Sequence, residues 1–176
     1  LIACALYSLV LYPALMLAMS RVRRRRFVRE PIRPSVSLII SAFNEEAAIG
    51  AKIENSLALD YPRDRLEIIV ASDGSTDRTD AIVRGFASRG VRLHRFDGGL
   101  GKSEVLNRAA GLASGEILAF SDATGMWSRN AIAVMVEHYA DPRVGCVSGR
   151  VGYSYDDSPA SAGFGIYQRW ILALRR

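Results

Sequence analysis

The sequence predicts an α/β protein with a mostly parallel sheet. Three observations predict it. Apolar runs of strand length alternate with stretches in which apolar residues recur at helical spacing. Each run ends in a polar or glycine-bearing turn. The runs are nearly unbroken, as strands covered on both faces must be.

The chain opens with 19 residues that carry no charge and are almost wholly apolar. A helix of 19 residues rises about 28 Å, close to the roughly 30 Å of a bilayer core. SRVRRRRFVRE follows at 20–30. Positive charge beside a span marks the cytoplasmic side, where anionic lipid heads hold it. A signal peptide would carry such charges ahead of its apolar stretch. The expectation is therefore a transmembrane helix over 1–20, a basic linker over 21–34 containing Pro31 and Pro34, and a cytoplasmic domain after it.

Residues 36–42 (VSLIISA) are the first strand. A helix is predicted over 45–57, with Ile49, Ile53 and Leu57 on one face and Asn44 as N-cap. Residues 60–63 (DYPR) turn the chain, and 66–71 (LEIIVA) form a second strand that ends in SDGSTD. A helix over 77–88 turns Ile82, Val83 and Phe86 inward, and 91–96 is a short third strand. The loop 97–101 (DGGLG) opens a helix over 102–113. Residues 117–120 are the fourth strand, delivering Ser121 and Asp122 to its end. Thr124 and Gly125 then turn the chain, and Ser128 is placed to cap a helix over 131–139. Residues 144–151 (VGCVSGRV) read as a fifth strand, 152–165 as loop, and 166–176 as amphipathic and aromatic. The chain begins at Leu1 and ends in WILALRR, so it is expected to be a fragment.

With 49% hydrophobic residues and a mean hydropathy of +0.10, the chain is not disordered. The net charge is +5, but residues 21–33 hold seven Arg and one Glu, and the rest of the chain sums to −1. That is a basic tract, not a basic folded face, and it argues against nucleic acid as a partner. Two cysteines and two histidines lack metal or disulfide spacing.

In open α/β sheets, ligands bind at the carboxyl ends of the strands. Asp73 follows the second strand in a Gly/Ser/Thr-rich turn. Its carboxylate can accept from a base N–H or a ribose hydroxyl, or, with Asp77, cap the next helix. Asp122 ends the fourth strand. It suits a ribose or metal–diphosphate contact, or a simple Asx turn. GGLGKS at 98–103 suits an anion at a helix N-terminus. A P-loop would need glycine at position 96, which is Phe96, so the match is one residue short, and a P-loop-like nucleoside-triphosphatase is kept as one alternative. A non-catalytic membrane-tethered binding module is another.

Taken together, SLIISAFNEE, EIIVASDGSTDRT, GGLGKSEVLNRAAGLASGEI and LAFSDATG resemble the family 2 glycosyltransferases, which are inverting and have a GT-A, Rossmann-like fold. The helix with its basic flank resembles the membrane-bound branch. The resemblance implies a nucleotide-sugar domain over 35–152 and the start of an acceptor-side region over 153–176. It implies transfer of a sugar, from a UDP-sugar in particular, to a lipid-linked or polysaccharide acceptor. Ala42, Phe43 and Glu45 would line the nucleoside pocket, and Asp73 would bind the base. Lys102 and Asn107 would sit near the loop over the diphosphate. Asp122 would be the first aspartate of the D-x-D motif, bound to a divalent metal, Mg²⁺ or Mn²⁺. Thr124 stands at the motif's third position, where a hydroxyl is a weaker metal ligand than a carboxylate. Tyr153 and Trp170 would contact the acceptor. The catalytic base is an aspartate that Asp156 and Asp157 come too early to be, and it is expected beyond residue 176.

Overall fold

The computed structural model describes residues 6–22 and 27–149. Val28–Gly149 forms one compact unit.

In residues 6–22 a π-helical stretch, Tyr7–Leu11, runs into an α-helix, α1 (Tyr12–Val22). These elements have 5 and 11 residues, about 24 Å of rise against a bilayer core of roughly 30 Å. No helix among the described residues is long and apolar enough to cross a membrane. The expected transmembrane helix over 1–20 is therefore not supported among the described residues. The apolar composition of this segment is real, but the helix it forms in the described residues is too short.

The compact unit is a four-stranded sheet of β1 (Val36–Ala42), β2 (Leu66–Ser72), β3 (Val91–Arg95) and β4 (Ile117–Asp122), in the order β3-β2-β1-β4. Every pairing is parallel. The register sets Val36 against Leu66 and Ile117, so β1, β2 and β4 start level, while Val91 of β3 pairs with Ile68.

Helices α2 (Ile49–Leu57), α3 (Thr79–Gly85), α4 (Lys102–Ala110) and α5 (Ala131–Val136) connect and flank the strands. Strand alternation divides the core between two faces. Leu38, Ile40, Ile68 and Val70 pack with Ile49 and Ile53 of α2, Val83 of α3 and Ile132 of α5. Ile39, Ile69 and Ala71 face the other way, against Val105 and Ala109 of α4. Covered on both faces, β1 is buried almost throughout, which is why its sequence shows no polar alternation. Each fully buried aliphatic side chain here contributes about 1.5–3 kcal/mol. Gly115 admits the chain to β4: a Cβ there would lie 2.5 Å from the amide nitrogen of Ser37.

The four strands fall where the sequence places them, and the helices are shorter. Residues 46–48 form a turn before α2, with Ile49 N–H donating to Glu45 O at 2.9 Å. Asn44 has φ +53 and does not cap that helix; its side chain is used elsewhere. Ser128 does not cap α5 through its side chain either; its carbonyl accepts Ala131 N–H at 2.9 Å. The expected fifth strand over 144–151 is corrected: residues 144–149 are irregular. Gly145 and Gly149 weaken strand formation there. The segment instead runs beside β4 and helps to line a cavity of about 670 Å³ with Phe120, Met135 and Tyr139.

Candidate functional site

The chain leaves β1 toward the α2 face and reaches the adjacent β4 from the α4 face. Such a reversal opens a crevice beyond the carboxyl ends of the two strands. Asp122 ends β4 and Asp73 follows β2, the two strands that flank β1, so both stand at this edge.

Asp73 donates its amide to Ala42 O at 3.0 Å, which extends the β1–β2 ladder. Its carboxylate accepts two amides of the glycine-rich loop, Leu100 N–H at 3.1 Å and Gly101 N–H at 2.9 Å. It does not cap α3; Asp77 instead accepts Thr79 N–H at 2.9 Å. Gly74, at φ +71, lets this turn lie directly on Gly98.

Polar contacts lock the loop after β1 to the loop after β2. Asn44 Oδ1 accepts Thr76 N–H at 2.8 Å, and Asn44 N–H donates to Ser75 Oγ at 3.2 Å. Glu45 N–H donates to Thr79 Oγ1 at 2.8 Å, and Glu46 N–H to Asp77 Oδ2 at 3.0 Å. Arg95, at the end of β3, donates to Ser75 O at 3.0 Å and pairs with Asp80.

Lys102 opens α4, and its Nζ lies 2.5 Å from Asp122 Oδ1. Both side chains are exposed, so the pair can open to a ligand. Thr124 is exposed in the turn that follows, closed by Gly125 N–H to Asp122 O at 3.1 Å. Phe43 is 57% exposed at the same edge. Ala42 is buried, and its side chain belongs to the core rather than to a surface pocket. Asn107 is exposed on α4, five residues beyond Lys102. Helical geometry turns it about 140° from Lys102. Tyr153, Trp170, Asp156 and Asp157 lie outside the described residues.

Three features work against a P-loop. The amides of Leu100 and Gly101 point at a carboxylate, Lys102 pairs with Asp122, and position 96 is Phe96. Among the described residues no cluster of three His, Cys, Asp or Glu could hold a metal alone. Asp122 and Thr124 supply hard oxygen donors, which suit Mg²⁺ or Mn²⁺ when phosphate oxygens complete the shell.

Sequence reasoning missed Lys52. It is completely buried in α2, among Ile49, Ile53, Ser56 and Leu57. Its Nζ donates to Gly125 O and lies 5.1 Å from the centre of the Trp127 ring. Burial pulls its pKa down to about 8, against the attraction of Asp122. Asn55, one turn on, holds the backbone of Trp127 at both ends, accepting its N–H and donating to its carbonyl, each at 2.9 Å. The signal was present in the sequence: a lysine three residues after Ile49 and one before Ile53 lies on the apolar face of the helix.

Residues 37–166 match the family model Glycosyl transferase family 2. The chain is 34% identical over 121 residues to a beta-monoglucosyldiacylglycerol synthase of Synechocystis sp., covering 66% of this chain and 25% of that protein. It is 34% identical over 123 residues to a probable glycosyltransferase, YdaM, of Bacillus subtilis, covering 66% of this chain and 29% of that one. Among solved structures it resembles a mannosyltransferase from Pyrobaculum calidifontis, in complex with GDP-Man and Mn²⁺, at TM-score 0.73 and 34% identity, over 84% of this chain and 47% of that one. The chain thus spans 25–29% of the length of these two curated relatives. A parallel sheet with two aspartates at one edge, and a family match over most of its length, place this chain in glycosyl transferase family 2.

Proposed function

We propose that this edge binds a nucleoside-diphosphate sugar, a UDP-sugar in particular, and that the chain is the donor half of an inverting glycosyltransferase. One observation carries the reading: Asp73 and Asp122 flank β1 at one sheet edge, with Lys102 joined to Asp122. Each Asp73 oxygen already accepts one amide, but a carboxylate has about four acceptor sites. Room remains for the imide N–H of a uracil. Phe43 would offer a ring face to the base, with Glu45 beside it and Ala42 shaping the floor through its backbone. Lys102 would leave Asp122 for the diphosphate, and Asn107 would stand near the same loop without touching the ligand.

Asp122 and Thr124 would hold a divalent ion together with the diphosphate. When bound, that ion would neutralise charge on the leaving group. The Mn²⁺ and GDP-Man bound by the Pyrobaculum relative support this donor chemistry. The acceptor is lipid-linked or a glycan, in keeping with the name of the Synechocystis relative. Tyr153 and Trp170 are its proposed contacts.

The reaction forms a bond from an acceptor hydroxyl oxygen to the anomeric carbon, on the face opposite the diphosphate. The carbon–oxygen bond to the diphosphate breaks, and its electron pair leaves with the nucleoside diphosphate. The hydroxyl proton passes to a general base. That base is expected in sequence beyond residue 176, so residues 1–176 should bind donor and transfer poorly. Calorimetric titration of the chain with UDP, GDP and ATP, with and without Mn²⁺, tests the reading. UDP should bind in preference to ATP and more tightly with Mn²⁺. Asp73→Ala and Asp122→Ala should each weaken it about 10-fold or more. Preference for ATP, or undiminished binding by both variants, would overturn it.

A further inference from the structure

We propose that Lys52 is a positioning residue of the donor site: its buried ammonium holds the 122–127 turn in the shape that receives the diphosphate. The proposal rests on the nucleotide-sugar reading above.

The position is one that an apolar residue would ordinarily fill. Burying an ammonium costs several kcal/mol unless it is paired and hydrogen-bonded. Here the groups that compensate it all come from one segment. The carbonyl of Gly125 accepts from it, the ring of Trp127 lies against it, and Asp122 attracts it. Among the described residues no charged side chain other than Asp122 is drawn in. Glu54 of the same helix turns outward to Arg89, and the neighbouring α3 presents Ile82 to Gly50. Asn55 adds two bonds to Trp127. Helix α2 thus grips the turn between its aspartate and its tryptophan, from beneath.

The grip sits where donor binding would exert load. Asp122 begins the turn, Thr124 projects from its tip, and Lys102 approaches from the other side. Thr124 brings no charge. The fixed cation below and the mobile cation at Lys102 together make this turn less negative than a pair of carboxylates would. A neutral side chain at position 52 would fill the space but leave the Gly125 carbonyl unpaired and the turn free to shift.

The test uses two readouts, one of which needs no nucleotide. In a W170F background, Trp127 is the remaining tryptophan, and acrylamide quenching of its fluorescence reports how firmly the turn is held. Calorimetry with UDP and GDP reports the donor site. Lys52→Met should raise the quenching constant about twofold and weaken nucleoside diphosphate binding about 10-fold, and Lys52→Arg should restore binding to within about threefold. Should Lys52→Met not fold, Lys52→Leu, likewise neutral and without a donor, carries the same comparison. Unchanged quenching in a folded neutral variant would overturn the proposal whatever the nucleotide does. Raised quenching with unchanged binding would overturn it as well. A parent protein that binds neither nucleotide, while Trp127 still responds to Lys52→Met, would mark the donor reading as the part that failed and remove the positioning role with it.

Discussion

Gly74 and Gly98 meet backbone to backbone: a Cβ on Gly74 would stand 2.6 Å from the Cα of Gly98. Both have positive φ, +71 and +96. This contact sets the turn after β2 against the glycine-rich loop, and it leaves the Asp73 carboxylate facing the amides of Leu100 and Gly101. Gly74→Ala meets both a strained φ and a collision with backbone. It should cost about 2–3 kcal/mol in urea unfolding and weaken UDP at least about 10-fold. Gly99→Ala has the strain, at φ +73, without the collision. It should cost only about 1 kcal/mol.

The Lys102–Asp122 pair should contribute to binding far more than to stability. Its side chains are 61% and 60% exposed, and exposed pairs contribute about 0–1 kcal/mol. Lys102→Ala should leave the urea midpoint almost unchanged and weaken UDP about 10-fold, as read by calorimetry. A matched loss of stability would show that the pair holds the fold instead.

Lys52 should give the protein an alkaline gain in stability. Its folded pKa is lowered to about 8 from the usual 10.5, so between these values the unfolded chain binds more protons. Stability should therefore rise as pH climbs through that window, by on the order of 3 kcal/mol from this group. Lys52→Met should lose this rise. Urea titrations of both proteins at about pH 7.5 and about pH 10 compare the two rises in unfolding free energy.

Asp141 should act at the opposite end of the scale. It is buried, accepts Val28 N–H at 3.1 Å, and forms a two-point pair with Arg143. The Arg143 guanidinium and amide hold its carboxyl well below the usual carboxylate range. A depressed folded pKa contributes stability above the ordinary value of 3.8, lost as pH falls toward the folded one. Asp141→Asn should be less stable than the parent at pH 7, with the difference shrinking in acid. Urea midpoints at about pH 7 and pH 3 would show it.

Much of the fold was determined by the sequence alone. Each strand is a local run whose periodicity is visible within a few residues, and the order of runs and turns implied a parallel sheet. The same order brought Asp73 and Asp122 to strand ends and Lys102 to the start of the helix after the glycine-rich loop, at the edge where the α/β rule places ligands. Tertiary structure decided what depends on partners remote in sequence. Lys52 is buried because Gly125, 73 residues on, lies above it. Asn44 leaves the start of α2 because Thr76 competes for its side chain. Asp73 holds a loop rather than a helix cap because Gly74 and Gly98 bring the loop within reach. Residues 144–149 have strand-like composition, yet strand formation is a pairing, and composition alone does not supply one. Local periodicity is a property of the chain. The environment of a buried charge, the target of a polar side chain and the pairing of a strand are properties of the packed fold.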